Sequence, residues 1–238
     1  MRCTVDLLSP TAFANLRQDQ CVLPSAGSAT SEEWAPRFAS AGAVVVDNSS
    51  QWRMHDDVPL VVSEVNPEAL ASHNGIVANP NCTTMQMVVA LKPILDAVGI
   101  ERLVISTYQS VSGTGQRAMD ELQSQTRAVI EAHEMPEPSV YPHQIAFNVL
   151  PQVEKFKDGD DYTTEERKVM AETRKILGFG EEVAISATCA RVPVISGHSE
   201  SVNVRTREDL SPDECRALLA EAPGVIVVDD PAAAKYPL

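Results

Sequence analysis

Apolar positions along this chain recur in two alternating rhythms, and the alternation predicts strand–helix units. Ala43-Val44-Val45-Val46-Asp47 is a short β-branched run of the kind found in strands buried on both faces. Leu60-Val61-Val62 and Gly75-Ile76-Val77-Ala78 repeat the pattern and are expected to be two further strands. Between and after these runs the period lengthens. Glu32 to Ala41 reads as a short helix ended near Gly42. From Cys82 to about Val98, the residues Met85, Val88, Val89, Leu91 and Leu95 give a helical apolar face. Strands alternating with helices point to an α/β sheet.

After Gly99 the texture changes. Arg102 to Gln109 reads as a strand and leads into Ser112-Gly113-Thr114-Gly115. A long polar helix is expected from Gln116 to His133, then a proline-rich loop from Met135 to Pro142. Thr163-Thr164-Glu165-Glu166 carries a capping-box pattern that opens a helix through Leu177, stopping at Gly178. Val183 to Val194 and Ser201 to Thr206 read as strands joined by a turn at Ser196-Gly197. Ser211 and Glu214 cap another short helix, and Val225 to Val228 is expected to be a last strand. Residues 1–20 give no clear period. The expected organisation is an α/β domain over residues 1–83 and an α+β domain over 84–238, the boundary falling near residues 82–100.

With 238 residues the chain has room for one large domain or two small ones. Its 44% hydrophobic and 22% charged residues are ordinary for a soluble protein. No apolar run is long enough to span a bilayer, and the first twenty residues carry no secretory pattern, so a cytoplasmic protein without a membrane partner is expected. The net charge of −14 repels polyanions, and no basic patch is visible, which argues against nucleic acid. Small anionic ligands then require a few locally gathered cations, which singles out Arg53, Lys175 and Arg191. Five cysteines, at positions 3, 21, 82, 189 and 215, lack the spacing of a zinc knuckle or redox pair. Cys3, Cys21 and Cys215 are expected to be small buried apolar residues. No metal site is expected, because Cys82 and His198 have no further ligands at suitable spacing.

Cys82 has a different setting. It follows the predicted strand ending at Ala78, stands behind Asn79-Pro80-Asn81, and opens a helix. A helix N-terminus offers unpaired N–H groups and the positive end of a dipole, and both favour thiolate over thiol. The same groups can hold an oxyanion formed when the sulfur attacks a carbonyl. The alternative is a buried cysteine at a helix start. A nucleophilic thiol needs a proton acceptor, and His198 is the best of five histidines. It follows Arg191-Val192-Pro193-Val194-Ile195-Ser196-Gly197, so a strand–turn–strand can bring Arg191 near it. An arginine suits a carboxylate through two parallel hydrogen bonds. Alone, His198 reads better as a loop histidine and Arg191 as half of a surface ion pair; the set of thiol, imidazole and guanidinium is what points to chemistry.

Five segments, "NPNCTT", "STYQSVSGTG", "YPHQIAFNVLPQ", "ETRKILG" and "CARVPVISGHSESV", together resemble aspartate-semialdehyde dehydrogenase, and the resemblance runs from about Cys21 to the end. It implies an incomplete Rossmann-type nucleotide-binding domain followed by an α+β catalytic and dimerisation domain. The implied chemistry is the reversible, NADP-dependent conversion of L-aspartate 4-semialdehyde and phosphate to 4-aspartyl phosphate, through a thioester on cysteine. The resemblance makes Cys82 the nucleophile, His198 the general acid/base and Gln109 the residue that orients the substrate. Arg191 would grip the substrate α-carboxylate and Glu172 its ammonium. Arg53 and Lys175, with Asn81, would form the phosphate site. Ser25, Ala26 and Gly27, and Ser112 and Gly113, resemble segments that touch the dinucleotide, although so short a glycine motif is also simply a turn. A homodimer is implied.

The sequence also departs from that family. A dinucleotide fingerprint wants closely spaced glycines after the first strand, and the first glycine here is Gly27. The far end stops at Leu238, where the family continues into a further strand and helix. The expectation is a chain truncated at both ends that binds NADP weakly. Two other readings stay open: a reductase of N-acetyl-glutamyl phosphate with the same thiol chemistry, and a non-catalytic module that dimerises through the α+β domain.

Overall fold

The computed structural model describes residues 21–237, so Cys3 and the unread opening stretch lie outside the described residues. The chain divides into two units. One runs to Asn81 and takes in Arg174–Gly178; the other comprises Cys82–Thr173 and the chain from Phe179 onward.

Among the described residues the first unit holds three parallel strands in the order β1-β2-β3, namely β1 (Cys21–Val22), β2 (Val44–Asp47) and β3 (Ile76–Ala78). Val45 pairs with Ile76 and Asp47 with Ala78, and Val45 and Ala78 are fully buried. Helix α1 (Ser28–Ser40) links β1 to β2. It starts four residues before Glu32, because Gly27 at its N-cap takes φ 91° and turns the chain into the helix at once. Gly42, at φ 92°, ends the turn after it, as the sequence suggested. The strand expected at Leu60-Val61-Val62 is not one. Leu60 makes a single parallel bridge to Ala78, and the Asn66 side chain then closes the segment into a turn. Its Oδ1 accepts from Val62 N–H and its Nδ2 donates to Leu60 O, so these groups leave the ladder. Cys21, on the outermost of the described strands, is exposed, not buried.

The second unit centres on β4 (Ile100–Gln109), which runs parallel to β5 (Ala184–Arg191) and antiparallel to β6 (Ser199–Thr206). Around this sheet lie α2 (Cys82–Val98), α3 (Gln116–Ile130), α4 (Thr164–Leu177) and α5 (Pro212–Ala220); the last turn of α4 groups with the first unit. The buried face of α2 is Met87, Val88, Leu91 and Ile94, rotated from the face expected around Met85 and Val89. β5 and β6 do not pair with each other. They flank β4, and the segment between them crosses its C-terminal end, where Val111 N–H donates to Val194 O (2.9 Å) and Ser112 N–H to Ile195 O (3.0 Å). β5 stops at Arg191 because Pro193 has no N–H to extend the ladder.

Both capping boxes form. Thr163 N–H donates to Glu166 Oε2 and Glu166 N–H to Thr163 Oγ1; Ser211 and Glu214 do the same for α5. The expected strand at Val225–Val228 is absent: no ladder partner faces it among the described residues, and Ile226 is 87% exposed. Cys215 is half-buried and Cys189 fully buried. Among the described residues no helix is long and apolar enough to cross a membrane. The architecture is thus a parallel α/β unit followed by an α+β unit on a mixed sheet.

Candidate active site

Cys82 is the first residue of α2, and its Sγ lies 3.3 Å from His198 Nε2. His198 stands one residue before β6, carried there by the crossing segment. Its other ring nitrogen is held by Ser110, just past the end of β4. Ser110 N–H donates to Nδ1 at 3.0 Å, and Ser110 Oγ lies 3.3 Å from the same nitrogen and 3.1 Å from Ser112 Oγ. With the N–H bonded, Nδ1 is the acceptor and a neutral imidazole presents its proton on Nε2, toward sulfur. The Ser110 hydroxyl can instead accept from Nδ1–H, which frees the Nε2 lone pair for the thiol proton. Ser110 therefore supplies a partner for either tautomer.

Arg191, at the end of β5, is 7% exposed. Its Nη1 donates to Ser110 O at 2.7 Å, while its Nε is buried with no hydrogen-bond partner. A buried guanidinium edge with an unused donor is a carboxylate receptor in waiting. Gly113 lies against both groups: a Cβ there would come within 3.3 Å of His198 Cε1 and 3.4 Å of Arg191 Nη1. A side chain at Gly113 would press tightly on both the imidazole and the guanidinium.

Burial first, then the Glu165 carboxylate, raises the Cys82 thiol above its ordinary value. The backbone N–H groups of Thr83 and Cys82, and then Arg191, pull the other way and do not prevail. Cys82 is nonetheless exposed by its accessible surface, so the amides at the start of α2 do not by themselves bring this thiol below its ordinary value, and solvent at the residue blunts the effect of burial. Burial, then Arg191, lowers His198 below its usual range, so the imidazole is neutral at pH 7.

Gln109 is buried at the end of β4, its Nε2 donating to Glu165 Oε1 at 3.1 Å. Glu165 stands behind the candidate site residue Gln109, a partner that capping logic alone misses. The signal was two glutamates at a helix start where the box needs one: Glu166 closes the box and accepts from Cys189 N–H, which leaves Glu165 for Gln109. Glu172, on α4, is 1% exposed.

The other expected residues lie in the first unit. Arg53 is buried and donates from Nη2 to Asn48 O at 3.1 Å; Asn81 is buried. Lys175 Nζ donates to three backbone carbonyls, Arg53 O (2.8 Å), His55 O (2.6 Å) and Val58 O (3.0 Å). Ser25, Ala26 and Gly27 form the exposed loop between β1 and α1. That loop leaves the N–H groups opening α1 accessible to an anion. No acid lies in the first turn of α1, no side chain caps it, and a Cβ at Gly27 would meet nothing within 4 Å.

Two family models match: "Semialdehyde dehydrogenase, NAD binding domain" over residues 4–73 and "Semialdehyde dehydrogenase, dimerisation domain" over residues 91–238. The aspartate-semialdehyde dehydrogenase of Aquifex aeolicus is 56% identical over 90% of this chain, and that of Bacillus subtilis 45% identical over 99%. The chain spans 63% and 68% of their respective lengths. The crystal structure of aspartate semialdehyde dehydrogenase II complexed with ASA from Vibrio cholerae superposes with a TM-score of 0.83 at 45% identity, covering 89% of this chain and 63% of that one. The NADP-bound enzyme of Candida albicans gives a TM-score of 0.63 at 27% identity, covering 85% and 55%. Sequence, fold and the Cys82–His198 pair agree: the chain belongs to the aspartate-semialdehyde dehydrogenase family.

Proposed function

We propose that this chain carries the reaction centre of an NADP-dependent, phosphorylating aspartate-semialdehyde dehydrogenase. The observation that carries the reading is the 3.3 Å contact between Cys82 Sγ, at the start of a helix, and His198 Nε2. The resting thiol gives its proton to Nε2 while Ser110 Oγ accepts from Nδ1–H, and sulfur attacks C4 of the semialdehyde. The oxyanion that results lies by the N–H groups that open α2. Arg191 takes the α-carboxylate through its spare Nε–H edge, Glu172 takes the ammonium, and Gln109, steadied by Glu165, orients the carbonyl. The hemithioacetal on Cys82 becomes a thioester by loss of a hydride, for which NADP held at the Ser25–Gly27 loop would supply the acceptor. Phosphate oxygen then attacks the thioester carbon and the Cys82 sulfur departs, with His198 returning its proton.

In the first unit Arg53 and Asn81 bind the phosphate, and Lys175 adds its charge while its three donors hold the loop from Arg53 to Val58. The Ser25–Gly27 loop receives the dinucleotide, with Ser112 and Gly113 as further contacts. The working division is residues 1–83 for nucleotide and 84–238 for catalysis and dimerisation. The name of the second family model supports a homodimer. So does the face of β4 that turns Tyr108 away from the core and leaves it 45% exposed. Cys21, Cys82, Cys189 and Cys215 are all free, which suits the reducing cytoplasm. The pathway is the one from aspartate to lysine, threonine and methionine. The test is NADPH formation at 340 nm from L-aspartate 4-semialdehyde, phosphate and NADP. Phosphate-dependent turnover abolished by Cys82→Ser is expected; turnover that survives Cys82→Ser overturns the reading.

A further inference from the structure

Beside the Cys82–His198 contact lies a second bridge between the same two elements. Gln86 sits one turn after Cys82 on α2, and its Nε2 donates to Glu200 Oε1 at 2.7 Å. It also reaches His198 O at 3.4 Å. Residues four apart on a helix share a face, and residues two apart on an extended chain share a side. The two repeats also match in length. Four helical residues advance ~6 Å, and two strand residues ~6.7 Å. Cys82 and Gln86 therefore stand opposite His198 and Glu200 like two rungs between α2 and the start of β6. A slide of the helix by even a fraction of an ångström along the strand strains both rungs together.

We propose that Gln86 and Glu200 are positioning residues for the Cys82–His198 pair: their hydrogen bond fixes the register of α2 against β6 and so the approach of imidazole to sulfur. The proposal rests on the reading of Cys82 as nucleophile and His198 as its proton partner. Neither residue belongs to the hydrophobic core, and Gln86 is exposed, so packing alone gives no reason for an amide and a carboxyl to meet there. Glu200 also stands at a cost, because burial pushes its carboxyl up to about 7. The Gln86 amide pulls the other way, a bond that steadies the carboxylate and in doing so ties the two elements.

The test is the rate of Cys82 alkylation by iodoacetamide against pH, which requires no NADP turnover, on the whole chain with the other cysteines replaced by serine. Gln86→Leu and Glu200→Leu are each expected to slow alkylation at pH 7.5 roughly fivefold, the usual weight of one hydrogen bond, and to shift the pH profile upward. The double variant should be no slower than either single one, since both remove the same bond. Glu200→Gln should keep the unsubstituted rate, because an amide oxygen accepts from Gln86 as well as a carboxylate does. Far-UV circular dichroism checks that the exposed Gln86→Leu variant is folded. Rates within twofold for Gln86→Leu and Glu200→Leu would overturn the proposal. If Cys82 of the otherwise unsubstituted chain reacts as an ordinary thiol, the functional reading fails instead. The titration of His198 by NMR then decides the positioning: a curve unmoved by Gln86→Leu overturns it, and a shifted curve sustains it.

Discussion

Two of the cations that the sequence assigned to anions, half-buried Lys175 in the first unit and buried Arg191 in the second, commit their donors differently. Lys175, in the first unit, has three ammonium protons and three carbonyl partners within 3.0 Å. Burial lowers it, Asp56 and Asp57 pull it back up, and these same two acids line the cleft of about 230 Å³ onto which it opens. Arg191, in the second unit, commits Nη1 to Ser110 O and keeps Nε buried without a hydrogen bond. Lys175 spends its three donors on backbone and offers an anion only its charge, whereas Arg191 keeps a buried donor unspent, the difference that the proposed carboxylate role uses. Charge and position in the sequence do not separate the two cases. The count of committed donors does.

The sharpest way to break that comparison is to remove each charge in turn. On the proposed reading Arg191→Leu should lower kcat/KM for aspartate 4-semialdehyde by roughly 10²–10³-fold, the usual consequence of leaving a carboxylate in a buried site without its partner, and should lower the urea midpoint less than Lys175→Met does, because only Ser110 O loses a donor. Arg191→Lys should recover little, since it keeps the charge and loses the planar fork. Lys175→Met should do the reverse on stability, costing about 2–4 kcal/mol in urea unfolding because three carbonyls lose a charged donor. If Lys175→Met leaves the midpoint unchanged while phosphate KM rises steeply, Lys175 is a ligand residue after all.

How much of this was legible beforehand depends on the range of the interaction. Local chemistry was readable: both capping boxes, the stop at Gly42 and the opening of α2 at Cys82 lie within a few residues of their causes. Leu60-Val61-Val62 failed because Asn66, four residues on, takes the hydrogen bonds a strand would need. Val225–Val228 failed because β-branching predicts a strand only when a neighbour exists to pair with it. Long-range pairings left no trace in the pattern. Nothing in the sequence says that β5 and β6 flank β4, yet that topology lays the crossing segment over Ser110 and delivers His198 to Cys82. Glu165 behind Gln109 was hidden for the same reason, 56 residues away.

The pH response sharpens the contrast between groups that are held and groups that are merely buried. Glu200 has a folded value of about 7 against the ordinary 4.5. Below pH 4.5 both folded and unfolded chains hold the proton and nothing is lost. Between 4.5 and 7 the unfolded chain releases it while the folded chain keeps it, so stability falls as pH rises, and above 7 the deficit is constant. Partial exposure of the side chain trims the effect, which leaves about 1–2 kcal/mol. Glu200→Gln should therefore stabilise the chain by that amount at pH 8 and not at pH 4, read from urea midpoints at the two values.

The smallest effect separates two copies of one motif. Thr163-x-x-Glu166 and Ser211-x-x-Glu214 both form reciprocal caps, yet Thr163 is fully buried and Ser211 exposed. Glu166 also spends its second oxygen on Cys189 N–H at 2.9 Å, so the first cap ties α4 to the edge of the mixed sheet. Water can replace the lost hydroxyl at Ser211 but not at Thr163, where Glu166 N–H would be left unpaired in the interior. Thr163→Ala should cost about 2 kcal/mol and Ser211→Ala about 0.5 kcal/mol in urea unfolding. Equal costs would mean that the hydroxyl itself, and not its exclusion from water, sets the strength of a capping box in this fold.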